Sequence, residues 1–115
     1  MKTFALAGWS GSGKNTLIEK LIPRFTARGL GIAFIKQRVK HPSPCDLLFV
    51  EGFKRAPIPK LEVWRAITGE GLLHPQDPHI VAVASDVQLE TKLPLLALDD
   101  DAGIAAFILR HLAPA

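Results

Sequence analysis

The stretch GWSGSGKN, residues 8–15, constrains this chain more than any other part of it. Gly8, Gly11 and Gly13 permit a tight turn and a close backbone approach, and Lys14 sets a cation beside that turn. The order follows G-x-x-x-x-G-K-[ST], in which successive backbone N–H groups enclose phosphate oxygens and the final hydroxyl binds Mg²⁺. Asn15 stands where that hydroxyl belongs. Its amide oxygen is a hard, neutral ligand, yet it lies further from the backbone, and Mg²⁺ tolerates little departure from octahedral geometry at about 2.1 Å. The backbone cradle and Lys14 do not depend on that side chain. The pattern predicts that a nucleotide is held while the metal is held weakly and hydrolysis is slow or absent, with Thr16 a partial substitute or simply part of the next helical turn.

The context supports a phosphate site. Residues 3–8 (TFALAG) read as a buried strand ending in the glycine turn. From Lys14 the period changes, with Leu17, Ile18, Leu21, Ile22 and Phe25 on one helical face and Glu19, Lys20 and Arg24 on the other. Arg28 and Gly29 mark the helix end, and Pro23 inside it predicts a bend. A strand that feeds a glycine turn and then a helix aims the helix dipole and its first N–H groups at an anion.

Further strands are expected at residues 30–36, 46–53, 79–86 and 93–100, and their continuous apolar runs suit parallel strands buried on both faces. Residues 61–65 (LEVWR) read as an edge strand because Pro57 and Pro59 precede them. A final helix carries Ile104, Phe107, Ile108 and Leu112 on one stripe, with the aspartates at 99–101 as its cap. The sum is an α/β fold with a mostly parallel sheet and flanking helices. Residues 37–45 (QRVKHPSPC) are a short link between two strands expected to run parallel, where a helical crossover takes a dozen or more residues. One sheet face is therefore expected to lack its usual helical cover.

At 115 residues the chain is read as one domain, residues 1–115, reduced in size. A net charge of +3 favours an anionic ligand, and without Lys/Arg clusters it does not point to nucleic acid. A single cysteine, Cys45, excludes an intrachain disulfide and fits a reducing compartment. No apolar run approaches the roughly 18 residues of a membrane span, so the expected location is the cytoplasm.

Other candidates surround the glycine turn. Glu51 closes the third strand before Gly52, where a carboxylate orients metal-bound water and a glycine N–H meets the γ-phosphate. Asp86 ends another strand on the edge where open α/β sheets bind ligands, and there it is either a reader of guanine N–H groups or an ordinary turn aspartate. Lys54, Lys60 and Arg65 form either a second anion site or a solvated basic face. The four histidines show no metal-ligand spacing with Cys45 and read as surface residues. Trp9 suggests a base or partner contact, and Trp64 suggests packing.

Taken in order, GWSGSGKNTLIEKLIPRFTARG, FIKQ, DLLFVEGFKRAPIPKLEVWR, HIVAVASD and LALDDDAGIAAFI resemble the molybdopterin-guanine dinucleotide biosynthesis protein B (MobB) family over nearly all of the chain. The resemblance implies a P-loop NTPase-like fold and a GTP-binding accessory protein, usually a homodimer, that assists the guanylyltransferase attaching GMP to molybdopterin. It implies that Gly11, Gly13 and Lys14 hold phosphate, that Glu51 and Gly52 sit at Mg²⁺ and the γ-phosphate, and that Asp86 lies near guanine; the candidate nucleotide-binding residues of the loop are Gly8, Trp9, Ser10, Gly11, Ser12, Gly13, Lys14, Asn15 and Thr16. Lys54 and Lys60 match basic positions of the family. Asn15 in place of the family's threonine and the missing insert after FIK are departures. A P-loop small-molecule kinase or ATPase, and a non-catalytic assembly module, are the rival readings.

Overall fold

The computed structural model describes residues 2–9, 11–35, 47–51 and 57–112. Six strands, β1 (Lys2–Ala7), β2 (Ile32–Ile35), β3 (Leu47–Glu51), β4 (Lys60–Trp64), β5 (Ile80–Ser85) and β6 (Leu95–Ala97), form one sheet, and every adjacent pair is parallel. Their order is β2-β3-β1-β4-β5-β6. Among the described residues two α-helices accompany the sheet, α1 (Lys14–Thr26) and α2 (Asp101–Leu112).

The apolar stripe of α1 packs as its spacing predicts: Leu17, Ile18, Leu21 and Phe25 are buried. The helix runs on through Pro23, and Gly29 follows in the left-handed region at φ 80°, where glycine has no steric cost. At α2, Asp100 caps the first turn by accepting the Gly103 N–H at 3.0 Å. Both helices lie against one face of the sheet, and Phe4, Leu6, Phe49, Leu61 and Val63 share a single buried cluster with Phe25, Ile104 and Ile108. Arg24 and Asp101 form an ion pair between the two helices.

One expectation is corrected. β4 is not an edge strand; it runs between β1 and β5. The prolines do not prevent this because both precede the strand. The Pro59 carbonyl accepts from Ala5 N at 2.9 Å, and Lys60 N donates to the His79 carbonyl at 3.0 Å, so the missing N–H falls before the ladder is under way.

The opposite sheet face has a different cover. Leu61 and Val63 point to the helices, so Lys60, Glu62 and Trp64 point away from them. Residues 65–79, which link β4 to β5, contain only two short 3₁₀ turns, Ala66–Thr68 and His74–Gln76. This strap is stitched to β4 side chain by side chain. Lys60 reaches Asp77 at 2.6 Å, Glu62 accepts from Leu73 N at 2.6 Å and His74 N at 2.9 Å, and the Trp64 indole donates to the Glu70 carbonyl at 3.0 Å. Among the described residues no helix lies over β4; residues 37–45, on which the expectation of an uncovered face rests, lie outside the described residues.

Candidate functional site

The glycine turn sits at the C-terminal end of β1, and α1 starts directly after it. Ser12 N donates to the Trp9 carbonyl at 3.0 Å, which closes the turn. Gly8 has to be glycine here, since a Cβ would come within 2.6 Å of the Val63 carbonyl oxygen and 2.8 Å of Ser12 Oγ. Gly11 and Gly13 adopt φ 85° and 95°, a region that L side chains avoid. Lys14 donates from Nζ to the Gly8 carbonyl at 2.5 Å, so its ammonium lies across the turn.

Ser12 carries a signal that the sequence did not. Its residue is 1% exposed, and its Oγ has no hydrogen-bond partner among the described residues. A buried hydroxyl normally finds one, and an orphan costs about 1–3 kcal/mol. This hydroxyl lies in the cradle that Gly8 leaves open, beside the Lys14 stem. The donor set of glycine N–H groups, a lysine and a buried hydroxyl fits a polyphosphate.

The metal side is thinner. Asn15 and Thr16 are exposed on the first turn of α1. The backbone of Glu51 pairs with Leu6, two residues before Gly8, which brings the end of β3 to the foot of the turn. Of Glu51 only the backbone is described, and Ser10, Gly52 and Lys54 lie outside the described residues. Among the described residues no group of three or more His, Cys, Asp or Glu side chains could hold a metal ion. No helix among them is long and apolar enough to cross a membrane.

Two further candidates converge on this edge of the sheet. Arg65, directly after β4, donates from Nε to the Ser12 carbonyl at 3.0 Å. Asp86, directly after β5, accepts the Ala66 N–H at 3.1 Å. The phosphate turn, the end of β4 and the end of β5 are therefore joined by two hydrogen bonds. Beside Asp86 a cavity of about 410 Å³ opens between the ends of β5 and β6, lined by residues 85–88 and 95–97. One wall is apolar, from Leu95 and Leu96, and the other carries Ser85, Asp86 and Gln88. A carboxylate oxygen has two lone pairs, so Asp86 keeps acceptor capacity beyond its bond to Ala66.

Lys60 does not join them. It is 1% exposed at the start of β4, and its ammonium is bound to Asp77. The Asp77 carboxyl is drawn below its ordinary value of 3.8: partial burial pushes it up, but the Lys60 hydrogen bond, the His79 backbone N–H and the charges of both residues together outweigh that. Trp9 turns its indole N–H to the Gly71 carbonyl at 2.8 Å, which ties the phosphate turn to the strap. His74 is not a surface histidine. Its Nδ1 lies 3.2 Å from Glu62 Oε1 and its Nε2 3.2 Å from Thr91 Oγ1. Glu62, fully buried, was missed by the sequence reading; its only trace there is the alternation of charged and apolar residues in KLEV.

A family model described as molybdopterin guanine dinucleotide synthesis protein B (MobB) matches residues 3–44 and 37–86 of this chain. The molybdopterin-guanine dinucleotide biosynthesis adapter protein of Escherichia coli (strain K12) is 30% identical over 163 aligned positions, covering 94% of this chain and 91% of the relative. The protein of the same name from Haemophilus influenzae is 31% identical over 153 positions, covering 90% and 85%. A MobB protein homolog from Bacillus stearothermophilus superposes with a TM-score of 0.75 at 21% identity, covering 96% of this chain and 97% of that one. Bacillus subtilis MobB gives 0.74 at 17% identity over the whole of both. The architecture is a reduced P-loop NTPase-like α/β fold. The alignments are longer than the chain, so the relatives carry residues that it lacks, and the two matched stretches overlap at 37–44, inside the short link.

Proposed function

Because the chain belongs to the MobB family, we propose that it is a guanine-nucleotide-binding adaptor of molybdenum cofactor biosynthesis, acting as one nucleotide-binding unit in the cytoplasm. It holds GTP at residues 8–16 and presents a surface to a molybdopterin guanylyltransferase and its pterin, as a homodimer. The observation that carries this reading is the cradle itself: Gly8 open over a buried, unpartnered Ser12 hydroxyl, with Lys14 across it. The Asp86 cavity on the same sheet edge supports guanine as the base, since a carboxylate accepts two N–H bonds from guanine and none in that arrangement from adenine.

Magnesium would enter with the nucleotide and offset the charge of its phosphates. Asn15 and Glu51 are the protein groups proposed to face it, with Glu51 the residue proposed to act in any cleavage and Gly52 beside the γ-phosphate. Asn15 extends a neutral amide from the first turn of α1, which favours grip without rapid turnover. A second anion, such as the pterin phosphate, falls to Lys54; Arg65 is committed to the phosphate turn and Lys60 to Asp77.

Calorimetric titration with GTP and ATP, each with and without Mg²⁺, tests the proposal. GTP binding that is selective over ATP and changes little when Mg²⁺ is removed is expected. ATP preference with turnover would mark a kinase or ATPase instead, and no heat with either nucleotide would leave only an assembly role. Asn15→Thr should raise both the Mg²⁺ dependence and the hydrolysis rate.

A further inference from the structure

The phosphate turn is held from outside as well as by its own glycines. Arg65 Nε donates to the Ser12 carbonyl at 3.0 Å, and the guanidinium lies close beside Gly13. A Cβ on Gly13 would stand 2.9 Å from Nε and 3.2 Å from Nη2, so glycine at this position is what lets the arginine close in.

A trans peptide is planar, and its C=O and N–H point in opposite directions. Holding the Ser12 carbonyl on Arg65 therefore turns the Gly13 N–H away from the guanidinium. That N–H has no partner among the described residues. A flip of the same peptide would present a carbonyl oxygen where an N–H should meet an anion. Gly13 on one side of the peptide makes such a flip easy, because glycine populates positive and negative φ about equally. The turn thus needs a pin, and Arg65 is itself fixed on both sides. Trp64, before it, donates to the Glu70 carbonyl, and Ala66, after it, donates to Asp86.

We infer that Arg65 is a positioning residue for the polyphosphate: its Nε–H locks the Ser12–Gly13 peptide with the Gly13 N–H facing the ligand. This rests on the nucleotide reading above and goes beyond it, since it gives Arg65 a directional role instead of that of one more cation. Arginine suits the role because its planar fork fixes the direction of the Nε–H, whereas a lysine ammonium sits one bond further out and has no preferred plane.

The test is calorimetry of the full chain with inorganic tripolyphosphate and with GTP, comparing wild type, Arg65→Ala and Arg65→Lys. Arg65→Ala should weaken both ligands by the same factor, about ten- to a hundredfold, the usual range for losing a hydrogen bond to a charged group. Arg65→Lys keeps the charge and should stay within about threefold of the alanine variant if direction is what matters. Full affinity in the lysine variant, or unchanged affinity in the alanine variant, overturns the inference and leaves nucleotide binding intact. No binding by the wild type takes down both. Should Arg65→Ala fail to fold, the Gly13 amide of the wild type decides by NMR: a large downfield shift on adding tripolyphosphate supports the inference, and an unmoved resonance overturns it.

Discussion

On one face of the sheet Phe4, Leu6, Leu61 and Val63 meet the apolar stripes of α1 and α2; on the other, Lys60, Glu62 and Trp64 reach single polar atoms of the strap. The difference lies in how each cover is specified. Apolar burial is roughly proportional to area and does not depend on direction, so neighbouring side chains can share it. The strap depends on individual bonds to groups already out of water, where a lost partner leaves a desolvated donor or acceptor behind. Among the described residues both helices cover one face, and over β4 the other face is held by the strap. That connection also touches the phosphate turn, through Trp9 and Gly71.

The largest expected effect is on the helix face. Phe25→Ala empties a fully buried position and should cost about 3–5 kcal/mol in urea denaturation. Glu62→Gln keeps the volume yet replaces an acceptor with a donor facing the Leu73 or His74 N–H, and should cost about 1–3 kcal/mol. A loss below a few tenths would mean the strap is held by something other than Glu62, and the contrast between the faces would go with it.

Acid sharpens the comparison. The Asp77 carboxyl of the folded chain sits below 3.8, so the unfolded chain takes up the proton first as pH falls. The stabilisation from its pairing with Lys60 is complete above about pH 4 and disappears as pH drops through the folded value. The gap in denaturation midpoint between wild type and Asp77→Asn should therefore be open at pH 6 and close below about pH 4. Asp101 is lowered too, first by its hydrogen bond from Arg24, but it joins two exposed helix surfaces. Asp101→Asn should show a smaller gap at pH 6 than Asp77→Asn, and an equal gap would erase the distinction between the faces. The smallest effect is expected from Trp9→Phe, about 1 kcal/mol for one hydrogen bond to Gly71, with the turn then tied to the strap through Arg65. Hydrogen exchange at residues 11–13 would register it.

Much of the fold was legible because its causes are local. The apolar run, the glycines and the 3.6-residue stripe of residues 3–25 act within a few residues of one another, and β1, the turn and the start of α1 lie where they predict to within a residue, while α1 ends at Thr26, two residues before Arg28. Asp100 announces its own helix in the same way. β4 was misread because Pro57 and Pro59 stand just before it, and nothing near them in the chain says that the ladder takes up its donors from Lys60 onward, or that Asp77, Leu73 and His74 will cover the charges of Lys60 and Glu62.

The sequence alone determined that a backbone cradle with a lysine would follow the first strand, since such a turn depends only on which residues tolerate positive φ and close approach. Only the tertiary structure decided what surrounds that cradle. Arg65 meets Ser12 across 53 positions and Trp9 meets Gly71 across 62, contacts that exist because the parallel order brings the ends of β1, β4 and β5 to one edge. Strand order is a global outcome of which faces bury together, and no window of neighbouring residues contains it.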